Sequence, residues 1–290
     1  MKICRFDGSH IGLVTGDEVQ DISDLVRETG IQPPERPLGD PLVMALPQIA
    51  ARLANSTRPF SRVPLSAVKL LSPIFLPTKI IGAGNNYGAH RAEMAADPTA
   101  SFAKLPDTLD ELGVFLKANT SIVGPSEAIE LRFPERRTDY ELELVAVIGR
   151  KVSSVSYNAA LDYVAGYCLG LDISLRGPQE RSLRKSMDTY TVVGPWLVTA
   201  DDIPDPGNLR LTLRVNGAVR QDTSTSDMIS DVATIIQYAS TYYTLYPGDM
   251  IFTGTPSGVG PIRAGDVLLL DGEKIGSFEI AVRAFARTEA

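Results

Sequence analysis

The chain has 290 residues, with 28 Lys and Arg against 35 Asp and Glu and a net charge of −7 when histidine is neutral. An acidic chain without a Lys/Arg-rich run is a poor partner for nucleic acid or an anionic membrane, and its longest purely apolar run, 144–148, is far below the ~18 residues of a membrane helix. At 44% hydrophobic and 22% charged, the composition is that of a folded chain with ample core, arranged as one large domain or a small one joined to a larger one.

The first ten residues are interrupted by charges and a glycine where a signal peptide needs an apolar stretch, so a cytoplasmic location is expected. In that compartment Cys4 and Cys168, far apart in sequence, read as free thiols. Residues 2–6, 11–14 and 19–21 alternate as short strands separated by turns, giving a small β-meander. The proline-rich stretch 31–41 reads as a surface connection, and a helix follows over 41–54. Prolines at 64, 73 and 77 place a domain boundary near residue 70, dividing a small N-terminal domain, 1–70, from the main body, 71–290.

In the body, helices are expected over 86–96, from 156–160 into Val164, and over 230–241. Strands dominate: 140–149, 167–173, 209–216, 249–253, 266–270 and 277–282. Asn216-Gly217 is a type I′ hairpin signal between two of these. The 24 Gly and 20 Pro make up about 15% of the chain against a usual ~12%, which fits a turn-dense, β-rich body.

Two glycine clusters are candidate loops beside a site. The first, Gly82 to Tyr87, lacks the third glycine of a dinucleotide fingerprint, and the second, Gly254 to Gly260, lacks the lysine of a P-loop. Between them lies Tyr140-Glu141-Leu142-Glu143-Leu144. Side chains two apart on a strand share a face, so Glu141 and Glu143 emerge together from a run too apolar to be a solvated edge. Two buried like charges need compensation, and a divalent cation supplies it. Asp172, at the polar exit of the next apolar strand, adds a third carboxylate. With only His10 and His90 in the chain, oxygen ligands for Mg²⁺ or Mn²⁺ are the natural donor set, leaving positions for water and a chelating substrate. His90 and Glu93, three apart on a helix, form a carboxylate-oriented imidazole suited to activating water.

These pieces in this order resemble the fumarylacetoacetate hydrolase family over nearly all of residues 79–290. The series is Gly84-Asn85-Asn86-Tyr87, His90 and Glu93, then Glu141 and Glu143, then Asp172, Arg176 and Gln179, then Lys185-Ser186 and Thr189, then Gly194-Pro195-Trp196, and finally Thr253 to Gly260. The resemblance implies an α+β, β-rich fold, a mixed β-sheet roll or sandwich with a small N-terminal α+β domain, and a homodimer. It implies Mg²⁺ or Mn²⁺, with Ca²⁺ as an option, on Glu141, Glu143 and Asp172. It places the catalytic base and its partner on His90 and Glu93, an oxyanion-stabilising lysine on Lys185, and substrate contacts on Arg176, Gln179, Thr189 and Thr255. The implied activity is hydrolysis of a C–C bond in a 2-oxo acid or 1,3-diketone, an acylpyruvate or fumarylpyruvate-like compound, through an enolate. Isomerases of the hydroxymuconate type, an oxaloacetate decarboxylase and a hydrolase of diketo-deoxy sugar acids share that intermediate and are the alternatives. A non-catalytic binder would not need His90, Glu93 and Lys185 together. One departure is the short spacing from Gln179 to Lys185, without the tyrosine that a relative carries there, which predicts a more open pocket on that side.

Overall fold

A computed structural model describes residues 1–7, 10–15, 17–29, 38–57, 60–97 and 108–286. Residues 31–37 of the expected proline-rich connection lie outside these. By internal contacts the chain forms two compact units, Met1–Leu38 and Gly39–Ala290. In the first, strands Ile3–Phe6, His10–Thr15 and Glu18–Asp21 form the expected antiparallel meander, followed by a short helix, Ser23–Glu28.

The second unit begins at Gly39, and Asp40 joins its first helix to the segment that leads into the sheet. Asp40 caps helix Pro41–Ala54, its Oδ1 accepting from the N–H groups of Leu42 and Val43 at 2.9 and 3.2 Å. Its Oδ2 accepts from the N–H groups of Phe75 and Leu76, both at 2.9 Å, tying the helix to the start of the main body. Prolines 64, 73 and 77 interrupt regular structure in this connection without separating it from the body.

The body is built on a seven-stranded mixed sheet in the order Val114–Lys117, Ile80–Ala83, Met250–Phe252, Leu142–Ile148, Val164–Asp172, Thr191–Thr199, Ile122–Val123. Met250–Phe252 runs parallel to Ile80–Ala83, Thr191–Thr199 runs parallel to Ile122–Val123, and the other pairs are antiparallel. A five-stranded sheet, Ala218–Ser224, Arg210–Val215, Val267–Gly272, Gly276–Ala284, Ala128–Leu131, packs against it. Its hairpin turns at Asn216 and Gly217, both at positive φ as a type I′ turn requires. Three short strands, Ser174–Leu175, Thr138–Tyr140 and Gly260–Pro261, make a small sheet.

Strand Leu142–Ile148 is buried on both faces, which is why its sequence is almost continuously apolar. Leu142, Leu144, Ala146 and Ile148 join a cluster containing Leu211, Leu213, Leu268 and Leu270 of the second sheet and Ile235 and Ile236 of helix Val232–Tyr242. Val145 and Val147 face the other way, into a smaller cluster with Ile80, Cys168, Phe252 and Val43. Truncating a fully buried leucine such as Leu144 costs about 2–5 kcal/mol. Cys4 and Cys168 are free, and burial raises the Cys168 thiol far above its ordinary pKa, keeping it unreactive. Among the described residues no helix is long and apolar enough to cross a membrane.

Candidate active site

The pleat that sends Val145 and Val147 into the smaller cluster sends Glu143 and Glu141 out along the same face, beyond its apolar end. Gly170 lies opposite Glu143 in the register, and a Cβ there would meet Phe252 and Val145 at 2.6 Å, so the adjoining strand can approach only with glycine. Two residues on, the Asp172 N–H donates to the Glu141 carbonyl at 2.9 Å, which brings the third carboxylate alongside. One carboxylate oxygen from each of Glu141, Glu143 and Asp172 lies within 4.8 Å of the others, and the three residues are 5%, 3% and 0% exposed.

Buried cations surround this charge. Lys185 Nζ donates to Glu141 Oε2, Asp172 Oδ2 and Ser174 Oγ, each at 2.6 Å. Arg176 donates from Nη2 to Glu141 Oε1 at 2.8 Å and from Nε to Asp139 Oδ2 at 2.7 Å. Lys117 Nζ donates to Asp172 Oδ1 and, at 2.9 Å, to the Tyr190 carbonyl. Burial alone would raise the Glu141 carboxyl, but Lys185 and then Arg176 outweigh it and hold the pKa far below the ordinary range. Glu143 is the opposite case: burial, reinforced by the neighbouring Asp172 charge, pushes it well above the usual value. Its Oε2 accepts from the Gly254 N–H at 2.6 Å.

Both glycine clusters are tight loops bordering the site. Gly254 has φ +94°, and a Cβ there would lie 2.6 Å from the Asn86 side chain and 2.9 Å from the Ala83 carbonyl. Asn86 fixes the two loops together, donating to the carbonyls of Thr253 and Ser230 at 2.7 and 2.8 Å and accepting from the Ser230 N–H at 2.7 Å. Helix Gly88–Ala96 then carries His90, 5% exposed, with its Nδ1 3.2 Å from Glu93 Oε2. Glu93 Oε1 accepts from the Gly258 N–H at 3.0 Å. Burial raises the Glu93 carboxyl, but the hydrogen bonds from His90 and Gly258 outweigh that and lower its pKa.

A cavity of about 180 Å³ is lined by His90, Glu141, Glu143, Asp172, Arg176 and Lys185, with Gln179 and Thr255 also on its wall. Gln179 accepts from Arg136 Nη2 at 2.8 Å, and the Thr255 hydroxyl accepts from Gln221 Nε2 at 2.8 Å. Thr189 does not line it: at φ +69°, its hydroxyl accepts from the Glu130 N–H at 2.9 Å. Glu93 stands behind His90 rather than on the wall. Lys185, expected as an oxyanion donor, has all three N–H donors engaged by Glu141, Asp172 and Ser174 in this arrangement.

Sequence reasoning missed Lys117, Asp139 and Gln221. Lys117 had a readable signal, because Phe115 and Lys117 alternate with exposed Leu116 and so share the buried face of strand Val114–Lys117. Gln221 had none: it reaches from the second sheet to accept from the Leu142 N–H at 2.9 Å and to hold Thr255.

Three buried carboxylates and no nitrogen or sulfur ligand within the same group fit a hard divalent cation, Mg²⁺ or Mn²⁺, rather than zinc or copper. Such a site on such a fold defines a metal-dependent enzyme acting on a small, oxygen-rich acid. The chain belongs to the fumarylacetoacetate hydrolase family: the family described as "Fumarylacetoacetate (FAA) hydrolase C-terminal" matches residues 79–283. It is 45% identical to the maleylpyruvate hydrolase of Aquipseudomonas alcaligenes, over 98% of this chain and 100% of that one. It is 36% identical to the 2,4-didehydro-3-deoxy-L-rhamnonate hydrolase of a Sphingomonas species, over 96% and 94% of the two chains. Among solved structures, maleylpyruvate hydrolase from Sphingobium sp. SYK-6, in complex with manganese(II) and pyruvate, superposes with a TM-score of 0.72 at 35% identity, covering 99% of this chain and 100% of that one.

Proposed function

We propose that the protein is a divalent-metal-dependent hydrolase that cleaves an acylpyruvate into pyruvate and the carboxylic acid of the acyl group. The observation that carries this reading is that His90, backed by Glu93, lines the same cavity as the carboxylate triad. A Lewis acid and a water-activating base in one cavity are what C–C hydrolysis of a 1,3-diketone needs. Decarboxylation needs neither a water nucleophile nor a base, so His90 favours hydrolysis over it; isomerisation also uses a base, and against it the reading rests on the 45% identity to a maleylpyruvate hydrolase.

Glu141, Glu143 and Asp172 would hold the ion. When bound, it polarises the oxygens of the 2-oxo acid head and stabilises negative charge there. His90 takes a proton from water, with Glu93 accepting the Nδ1–H and leaving Nε2 free as the acceptor. That water attacks the carbonyl of the acyl group, the bond between this carbon and C3 of the pyruvate half breaks, and C3 takes the electron pair and then a proton. Lys185 turns its ammonium toward the developing charge once Glu141 and Asp172 no longer need it as a counter-ion. Arg176, Gln179 and Thr255 line the path of the substrate. Thr189, off the wall, accepts from the Glu130 N–H and is given no contact with the substrate. We place the enzyme in the cytoplasm, as a homodimer, and the exposed Phe60, Val63, Leu65, Leu71, Phe75 and Leu76 support a subunit contact along that segment.

The test is product analysis with Mn²⁺-loaded protein given an acylpyruvate and, separately, oxaloacetate. Stoichiometric pyruvate and free acid from the first establish the hydrolase. Turnover of oxaloacetate alone, above the metal-only blank, overturns it.

A further inference from the structure

Strand Ala218–Ser224 lies at the edge of the five-stranded sheet and is exposed or half-buried at every position except Gln221, which is 1% exposed. A bulge aims that side chain inward: Gln221 pairs with Leu213 of the neighbouring strand and Val219 with Arg214, so Arg220 is an extra residue between them. A polar side chain at the one buried position of an edge strand must find hydrogen-bond partners there. The loop 254–260 docks on the same spot. Gly258, at φ +95°, makes room for the Arg220 carbonyl oxygen, which would lie 1.9 Å from a Cβ at that position.

Three hydrogen bonds fix the Gln221 amide. Strand Met250–Phe252 pairs with Leu142–Ile148 only over 145–147, which leaves the Leu142 N–H without a strand partner on that side, and Gln221 Oε1 accepts from it at 2.9 Å. Gln221 Nε2 donates to the Pro256 carbonyl at 3.0 Å and to Thr255 Oγ1 at 2.8 Å. A backbone N–H can only donate and a carbonyl can only accept, so the amide cannot be turned over. Both of its hydrogens are therefore given away, one of them to Thr255, whose oxygen is compelled to accept. The hydrogen of the Thr255 hydroxyl must then point elsewhere. Among the described residues no protein group receives it, and Thr255, 3% exposed, stands on the cavity wall.

Resting on the acylpyruvate reading above, we propose that Gln221 is a positioning residue that sets the polarity of Thr255, so that its hydroxyl presents a hydrogen to the cavity. The partner this hydroxyl fits is an oxygen that carries no hydrogen, as in the carbonyl and carboxylate of a 2-oxo acid. Thr255 by itself would have no such preference, because an unheld hydroxyl rotates to serve as donor or acceptor. Gln221 is absent from the cavity wall and acts on the substrate only through Thr255.

The experiment measures pyruvate binding by calorimetry in the Mn²⁺-loaded wild type, Gln221→Glu, Thr255→Val and the double variant, together with the Mn²⁺ affinity of each. In Gln221→Glu the carboxyl still accepts from the Leu142 N–H but offers at most one hydrogen where the amide offers two, so the Thr255 hydroxyl is released or turned toward it. Each single variant should bind pyruvate about tenfold more weakly, and the double variant should match the singles within about twofold. Mn²⁺ affinity should stay within about twofold of the wild type, whereas a merely structural role, acting through Leu142 on Glu141 and Glu143, would lower it in step with pyruvate binding. That parallel loss, losses that multiply in the double variant, unchanged pyruvate binding in Gln221→Glu, or no pyruvate binding in the wild type each overturn the proposal. Should Gln221→Glu not fold, neutron diffraction from the deuterated wild type decides: a Thr255 hydroxyl deuterium aimed into the cavity supports the assignment, and one aimed at Gln221 or Pro256 contradicts it. If the wild type binds pyruvate with the predicted pattern but hydrolyses no acylpyruvate, the proposed reaction fails on its own and the role of Gln221 stands.

Discussion

Asp172 is held by Lys117 on one carboxylate oxygen and by Lys185 on the other, so one carboxylate carries two buried ammonium partners from two different elements. Lys117 is 4% exposed and absent from the cavity wall, which makes it a positioning residue: it fixes the rotation of Asp172 from behind. Replacing it with Met removes one partner of a buried pair and is expected to destabilise the fold by about 3 kcal/mol. Affinity for Mn²⁺ should also fall about 10- to 100-fold. Chemical denaturation and Mn²⁺ titration check both, and a variant unchanged in either would show that Lys185 alone orients Asp172.

Glu143 carries an electrostatic cost in the metal-free protein. Its pKa is raised by burial and by Asp172, so the folded state binds its proton more tightly than the unfolded chain does. Stability is therefore lost as pH rises from the ordinary glutamate value through the raised one. Glu143→Gln removes that penalty at neutral pH, and the metal-free variant should melt about 2–4 °C higher than the wild type while no longer binding Mn²⁺. Thermal melts at pH 7 in EDTA decide it, and a lower melting temperature would contradict the assignment.

The chemistry of the site was legible where local pattern carried it. Glu141 and Glu143 stood out because strand periodicity puts them on one face of an otherwise apolar run, and His90 with Glu93 because helical spacing makes them neighbours. The order of the strands in the sheet was not legible, because it depends on pairings distant in sequence, such as Met250 beside Ile80. For the same reason Gln221 was not legible, since it acts on Leu142 of a different strand; the burial of Lys117 was readable from strand alternation, but its partner Asp172 was not. The tie between helix Pro41–Ala54 and the start of the main body was not legible either, because Asp40 makes it through the N–H groups of Phe75 and Leu76, distant in sequence.

His90→Ala should lower acylpyruvate hydrolysis by about 10²–10⁴-fold. Deuterium exchange at C3 of pyruvate, which requires enolisation but no attacking water, should survive in the same variant when followed by NMR in D₂O. Loss of both reactions together would mean that His90 shapes the site rather than activating water.

Glu93 supplies an acid-sensitive tether between helix Gly88–Ala96 and the Gly258 loop. Its folded pKa is lowered, so its contribution to stability is present above its ordinary value of 4.5 and is lost as pH falls below that toward the folded value. Glu93→Gln should flatten the fall in stability below pH 4.5 and cost about 10–100-fold in hydrolysis, because an amide orients the imidazole without supporting its charge. Denaturation midpoints from pH 3 to 7 and kcat at pH 7 check the two halves, and a variant identical to the wild type in both would remove Glu93 from the account.

The most direct test of the whole account is to titrate Mn²⁺ into EDTA-stripped protein while following pyruvate release from an acylpyruvate, in the wild type and in Glu141→Gln. The wild type should be inactive without metal and reach full rate at one Mn²⁺ per chain, and Glu141→Gln should remain inactive throughout. Equal pyruvate release with and without metal, or a fully active Glu141→Gln, would contradict it.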